Sequence, residues 1–109
     1  MITDEKIESA LNYLAKNVEE AAEARAQKLE LTEGRKVIKA ELMNQCNETS
    51  EAAKERYAYS HPDYKQYLTG LGEAIKQDAV HTFRRESYNA TIEAWRTQQA
   101  NIRYAEKVT

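Results

Sequence analysis

The chain has 109 residues, with 16 Lys and Arg against 18 Asp and Glu, so its formal net charge is -2. This length allows a single domain, and the near balance of charge excludes a bulk polycation that coats nucleic acid indiscriminately. Ala, Glu, Lys, Leu and Arg together supply 54 residues, a composition typical of long helices and coiled coils. Only 18 residues are Leu, Ile, Val or Phe. Because that is too few for a thick core, we expect an α-helical chain completed by a partner subunit.

The sequence carries no recognisable membrane or secretion signal. No apolar run approaches 18 residues, and the segment Met1–Lys6 lacks the basic region and apolar stretch of a signal peptide. Cys46 is the single cysteine, so no intrachain disulfide can form and a reducing compartment suits the chain. We therefore expect a cytoplasmic protein with no membrane partner.

The first predicted element is a long helix, or a helix pair, over about residues 3–46. Thr3 is its predicted N-cap, because acidic residues follow it at the positive end of the helix dipole. Asn17 and Gly34 are the two positions where the helix can be interrupted, and the sequence leaves this open. The predicted buried stripe consists of Ile7, Leu11, Leu14, Val18, Ala22, Leu29, Val37, Ala40 and Met43, with Ala10 and Ala21 alongside.

A polar turn over residues 44–50 separates this element from a short helix over about residues 51–59. Ser50 is the predicted cap of the short helix. Ser60 and Asp63 have the spacing of a capping box around Pro62, which is tolerated in a first turn but not in a helix interior. The pattern therefore predicts a fresh long helix over about residues 61–105, weakened locally by Gly70 and Gly72.

The last helix carries two apolar stripes in sequence. The first consists of Tyr64, Leu68, Leu71, Ile75, Ala79 and Phe83. The second consists of Tyr88, Ile92, Trp95 and Ile102, with Gln99 filling the gap. The step from Phe83 to Tyr88 rotates the stripe by about 140°, so one neighbour cannot easily cover both. Either the helix curves or touches two helices of its own chain, or one face is an interface with a partner.

The predicted fold class is all-α: an extended antiparallel hairpin of two long helices with a short helix between them, in a single domain over residues 1–109. The thin core and the two-faced last helix predict a homodimer or a higher oligomer. Seven tyrosines are present, and tyrosine suits half-exposed packing and protein interfaces. The candidate interface residues are Tyr88, Ile92, Trp95, Ile102, Tyr64 and Tyr67. Alternatively, these rings fill a thin helical core.

Charge is unevenly distributed along the chain, with an acidic arm over residues 1–34 and basic patches in two later segments. The candidate nucleic-acid contacts are Arg35, Lys36, Lys39, Arg84, Arg85, Arg96 and Arg103. In one interpretation, basic and acidic helix faces simply lie side by side within the protein. In the other, the basic groups contact phosphates while Trp95 and the tyrosines stack on bases.

No pattern of catalytic or metal-binding residues emerges. His61 and His81 are twenty residues apart, so they do not form a short-range ligand pair with each other or with Cys46. His61 is interpreted as a turn residue and His81 as a helix-surface residue. The Gly70–Gly72 pair lacks the strand and third glycine of a dinucleotide fingerprint. We expect no enzymatic activity, no metal, no cofactor and no small-molecule substrate.

Three segments of the chain resemble small helical proteins encoded by phages and prophages. They are residues 33–43, the tail over residues 92–98, and the segment between them around Glu55, Arg56, Ala58 and Tyr59. The resemblance implies a protein acting in the cytoplasm of a bacterial host. Some such proteins accompany phage recombination or replication genes, and a counter-defence protein that binds a host complex is equally compatible with such an origin. It identifies no catalytic or binding residue.

Together these features predict a non-enzymatic interaction protein. It would present a helical surface to a protein partner from a DNA-processing or host-defence complex and modulate that partner as an inhibitor or accessory factor. The alternative is a direct DNA-binding accessory protein of phage recombination or replication that uses the basic C-terminal helix.

Overall fold

The computed structural model describes residues 1–108, which form four helices: α1 Asp4–Lys16, α2 Val18–Gln45, α3 Glu51–Ser60 and α4 Pro62–Val108. No strand occurs within these residues. The predicted all-α class, with long helices and a short helix between them, is confirmed. The chain divides into two compact units: unit 1 contains residues 1–22 and the chain from Ala79 onward, and unit 2 contains residues 23–78. The single-domain organisation stays a prediction.

The ends of the first three helices follow local sequence signals. Thr3 accepts a hydrogen bond from the Lys6 amide, and Ser50 caps α3 in the same way, so both predicted N-caps are confirmed. Asn17 ends α1: its amide donates to the Tyr13 carbonyl at 3.0 Å. Segment 4–45 is therefore a helix pair, while Gly34 lies inside a continuous α2.

The turn before α4 is capped by His61. The Asp63 amide donates to His61 Nδ1 at 3.0 Å, and the His61 carbonyl accepts from the Tyr64 amide. Ser60 instead belongs to the end of α3, where its hydroxyl donates to the Arg56 carbonyl at 2.7 Å. The predicted Ser60–Asp63 capping box is therefore wrong, because an imidazole nitrogen takes the place of the serine hydroxyl.

In unit 2, the α2 segment packs antiparallel to the start of α4. Tyr67 reaches Leu31, while Asp78 reaches Arg25, which is earlier in α2. The buried cluster of this unit consists of Leu42, Ala58 and Tyr64, with Ile38 and Met43 packed against it. Short α3 contributes Ala58 to this cluster, so the core gathers where the three helices meet.

In unit 1, α1 packs antiparallel to the last part of α4. The Ile2 amide donates to Gln98 Oε1 at 2.9 Å, and Gln98 Nε2 donates back to the Ile2 carbonyl at 3.1 Å. Further along, the Tyr13 and Tyr88 rings lie 4.4 Å apart, and Arg85 donates to a carbonyl of α1. The unit is therefore joined by polar contacts as well as apolar packing.

The inward face of α4 follows a different pattern from the two predicted stripes. Its buried and half-buried members recur at alternating steps of three and four: Tyr64, Tyr67, Leu71, Ala74, Asp78, His81, Arg85, Tyr88, Ile92, Trp95, Gln99 and Ile102. This is a heptad period, typical of paired helices. The first predicted stripe is wrong at Leu68, Ile75 and Phe83, which are exposed. Three polar residues, Asp78, His81 and Arg85, continue the inward face between Ala74 and Tyr88, so the face does not rotate by the predicted angle of about 140°.

The same error affects the N-terminal stripe. Leu11, Val18, Leu29 and Val37 were expected inside but are all more than half exposed. The inward positions again alternate by three and four: Ile7, Ala10, Leu14, Asn17, Ala21, Ala24, Lys28 and Leu31. Small and polar residues occupy five of these eight positions, so the apolar signal of this face is weak. None of the helices within residues 1–108 has a stretch apolar enough to cross a bilayer.

Candidate functional site

A cleft of about 350 Å³ in unit 2 brings one predicted basic patch together with aromatic rings. Its lining residues are Arg35, Lys36, Lys39, Tyr59 and Tyr64. Two successive turns of α2 supply the three cations, and their spacing places them within about 100° of the helix surface. The two tyrosines come from α3 and the first turn of α4. The bend at His61 therefore places rings against a basic helix face.

Lys39 and Tyr59 hold one another in place. The Lys39 ammonium lies 4.8 Å from the centroid of the Tyr59 ring, and it approaches Glu55 Oε1 at 3.5 Å. Hydrogen bonding to the Tyr59 side chain outweighs desolvation and, with the charge of Glu55, raises the pKa of Lys39 above 10.5. Lys39 is consequently charged at neutral pH. The Tyr64 ring meets Tyr59 edge-on, with centroids 5.3 Å apart.

Arg35 and Lys36 are the two cations of the cleft that have no ion-pair partner within residues 1–108. Both side chains are exposed. The five lining residues include no carboxylate. A guanidinium and an ammonium that lack carboxylate partners can bind an anion, and arginine matches the oxygens of phosphate in a bidentate manner.

The second predicted basic patch is not gathered in this way. Arg85 is half-buried and donates to the Leu14 carbonyl at 3.2 Å, so it serves packing within unit 1. Arg96 pairs with Glu93 on the helix surface at 3.2 Å. Arg84 and Arg103 are exposed. The role of these four arginines as nucleic-acid contacts stays a prediction.

The six predicted interface residues pack mainly within their own units. Tyr64 is buried in unit 2, and the Tyr67 hydroxyl donates to the Leu31 carbonyl at 2.7 Å. The Tyr88 ring packs against the Tyr13 ring in unit 1, with an interplanar angle of 32°. The others are half-buried in unit 1: Ile92, Trp95 and Ile102. Their part in an interface with a partner stays a prediction.

Trp95 differs from the others in having an unsatisfied polar atom. Its indole Nε1 is buried and has no hydrogen-bond partner within the described part of the chain, and the same holds for the Tyr13 hydroxyl. Ile102 lines an open groove of about 510 Å³ with Met1 and Ala94 among its neighbours. Two aromatic side chains of unit 1, Tyr13 and Trp95, therefore pack in its interior while their polar atoms lack hydrogen-bond partners in the described part of the chain.

Large apolar side chains remain outside the packed face of unit 2. Leu29, Val37, Leu68 and Ile75 are between 40% and 58% exposed. Leu68 and Ile75 are seven residues apart and share one face of α4. All four belong to the predicted buried stripes, and they are exposed because the paired helices bury other positions.

The histidines and the cysteine also have structural surroundings. His81 is half-buried, and its Nδ1 lies 3.1 Å from Asn17 Oδ1, so its assignment as a surface residue is wrong. The Cys46 thiol donates to the Met43 carbonyl at 3.2 Å. No group of three or more His, Cys, Asp or Glu side chains positioned to hold a metal ion occurs in residues 1–108.

No protein-family model, curated protein or solved structure matches this chain.

Proposed function

We propose that this chain is a non-enzymatic helical interaction protein of phage or prophage origin that binds and modulates a protein partner. The partner would belong to a DNA-processing or host-defence complex of the bacterial host. The exposure of Leu29, Val37, Leu68 and Ile75 is the observation that supports this function. Covering exposed apolar area stabilises an association by about 25 cal/mol per Å², and Leu68 and Ile75 share one face of α4, where a single partner can cover both.

The first partner to test is a second copy of the chain. Unit 2 buries five apolar residues, Leu42, Ala58, Tyr64, Leu71 and Ala74, and association would add apolar contacts to this small core. Light scattering at tens of micromolar should return at least twice the 12.5 kDa of one chain. A monomer mass under those conditions would remove homo-oligomerisation and leave binding to a different protein.

Charge substitution on α4 tests the apolar surface directly. The double variant Leu68→Glu, Ile75→Glu should keep its helicity, since both side chains are exposed. It should lose about 2 kcal/mol or more of association free energy, or about 30-fold in affinity, because two apolar contacts are replaced by charges. The matched control, Thr69→Glu with Gln77→Glu, adds the same charges to exposed positions on another face of α4. Equal association by both double variants would refute this surface.

Direct DNA binding by the basic C-terminal helix is the second candidate. The exposure of Arg84 and Arg103 favours it, whereas Arg85 and Arg96 already have partners within unit 1. If the two exposed arginines contact phosphates, replacing both with alanine should reduce the salt dependence of duplex binding by a slope of about 1.8. A chain that binds no duplex at low salt would refute this function.

A further inference from the structure

We propose that the basic and aromatic cleft of unit 2 binds a nucleotide unit, with its phosphate on Arg35 and Lys36 and its base against Tyr59. This goes beyond binding of a protein partner and does not depend on it. The shared ligand chemistry is a phosphate joined to a flat aromatic base. A single-stranded nucleic acid and a free nucleotide both supply that chemistry.

The phosphate half of the site rests on the two uncommitted cations. Arg35 and Lys36 are adjacent in sequence, line the same cleft and form no ion pair within residues 1–108. Two positive charges that converge without an opposing carboxylate among the lining residues repel each other. An incoming phosphate relieves that repulsion and accepts charge-assisted hydrogen bonds from both.

The base half rests on the state of the Tyr59 ring. This side chain is 48% exposed at the cleft, yet it is held from two directions by Lys39 and by the edge-to-face contact with Tyr64. A fixed aromatic ring loses little conformational entropy when a base stacks on it. Lys39 acts here as a positioning residue, because its ammonium is already engaged by Tyr59 and Glu55.

The dimensions and lining of the cleft favour a nucleotide over an acidic peptide. Its volume of about 350 Å³ lies at the small end of ligand-binding pockets. Tyrosine rings on one side and cations on the other match a ligand with one aromatic and one anionic part. A run of carboxylates would use the cations but would leave Tyr59 without a flat partner.

Binding is tested on the full chain with two probes, a fluorescein-labelled single-stranded oligothymidine and thymidine monophosphate. Anisotropy should report oligothymidine binding that weakens as salt rises, since released counterions drive it. Amide chemical shifts with thymidine monophosphate should change around residues 35–39 and 59–64. Affinity for the oligonucleotide that exceeds the mononucleotide affinity by about tenfold or more assigns the site to single strands, because further phosphates then contribute. Equal affinities assign it to a free nucleotide.

Variants separate the cleft from other charged surfaces. Arg35→Ala with Lys36→Ala should reduce the salt slope for oligothymidine by about 1.4, and Tyr59→Leu should weaken binding by about fivefold or more. Lys16→Ala with Lys76→Ala removes the same charge from exposed positions outside the cleft and should change neither. Circular dichroism of each variant is the control for correct folding.

Three results would overturn the proposal. The first is no detectable binding of either probe at about 1 mM, well above the range of non-specific nucleic-acid binding. The second is loss of binding in the Arg84→Ala, Arg103→Ala variant but not in Arg35→Ala, Lys36→Ala. The third is displacement of oligothymidine by oligoglutamate as effectively as by thymidine monophosphate, which would identify a general anion site. None of these results bears on binding of a protein through Leu68 and Ile75, so the two proposals fail separately.

Discussion

Replacement of Gly34 by alanine should destabilise the protein even though alanine is the better helix former. The Tyr67 hydroxyl occupies the space that a Cβ at position 34 would fill. That hydroxyl cannot move freely, because it donates a 2.7 Å hydrogen bond to the Leu31 carbonyl of the neighbouring turn. Gly34→Ala therefore forces the ring outward and breaks the bond.

The magnitude follows from three opposing contributions. Alanine gains about 1 kcal/mol over glycine in a helix interior. Against this, the lost hydrogen bond costs about 1 kcal/mol and displacement of a packed ring costs about 1–3 kcal/mol. The net expectation is a loss of about 1–3 kcal/mol in the free energy of unfolding. In a Tyr67→Phe background the nearest remaining ring atom is Cζ at 3.5 Å, an ordinary contact. There, Gly34→Ala should stabilise by about 1 kcal/mol.

Urea denaturation followed by circular dichroism on the four proteins of this double-mutant cycle measures the reversal of sign. Gly70→Ala and Gly72→Ala serve as controls, because a Cβ at either position meets nothing within 4 Å. Each control should stabilise by about 1 kcal/mol in both backgrounds. If Gly34→Ala stabilises the Tyr67 protein as much as the controls do, the close approach of the hydroxyl to α2 is refuted.

Three further predictions concern individual side chains. Burial would raise the pKa of Asp78, but hydrogen bonds from Arg25 and Lys28 outweigh it and lower that pKa below 3.8. The ionised Asp78 carboxylate therefore stabilises the fold above pH 3.8, and this stabilisation is lost as the pH falls through the lowered pKa. Melting temperatures of the wild type and Asp78→Asn should converge in acid. A difference that stays constant with pH would contradict this. Trp95→Ala should destabilise by about 3 kcal/mol because the ring packs in unit 1, whereas exposed Arg96→Ala should change stability little; equal melts would show that Trp95 is not packed. Cys46→Ser should keep the fold and any partner binding, since a serine hydroxyl can also donate to the Met43 carbonyl; lost binding with an intact fold would indicate thiol chemistry.

Helices and their caps could be predicted because their signals are local. Thr3 and Ser50 each precede an acidic residue and a helical run, and each accepts the amide hydrogen bond that the pattern predicts. His61 was missed as a cap because a histidine before proline is an uncommon signal. Its role depends on the imidazole orientation relative to the Asp63 amide, which the sequence does not specify.

The buried face of α4 could not be found by counting apolar residues. Asp78, His81 and Arg85 are polar, and each has a partner only because another segment of the chain lies beside it. A helical pattern that permitted polar members at alternating steps of three and four would have located this face. The apolar residues Leu68 and Ile75 misled the prediction because they lie one position beyond inward residues.

The candidate cleft was half predictable. The spacing of Arg35, Lys36 and Lys39 places them on one side of any helix, and the sequence identified them as a basic patch. In the sequence, Tyr59 is only one of several tyrosines near Pro62, and nothing marks it as a neighbour of the basic patch. Its place at the cleft depends on the angle between α3 and α4, which follows from the His61 cap and from the burial of Ala58.

Polar contacts also explain how helices with so few large apolar residues are held in one register within unit 2. Asp78 is buried and meets both Arg25 and Lys28. Sliding α2 by one heptad would replace these partners with Thr32 and Arg35, or with Val18 and Ala21. Either shift removes at least one charge partner from a buried carboxylate, which is strongly unfavourable.

The glycine supplies a second, independent constraint on the same register. Tyr67 needs a residue without a Cβ opposite its hydroxyl, and Gly34 is the only glycine of α2. A shift of one heptad would place Gln27 or Glu41 at that level, and either side chain would collide with the ring. Alanine and leucine contacts alone tolerate such shifts, since similar residues recur every turn. We infer that Asp78 and the Gly34–Tyr67 contact together select one alignment, although each contributes little apolar area.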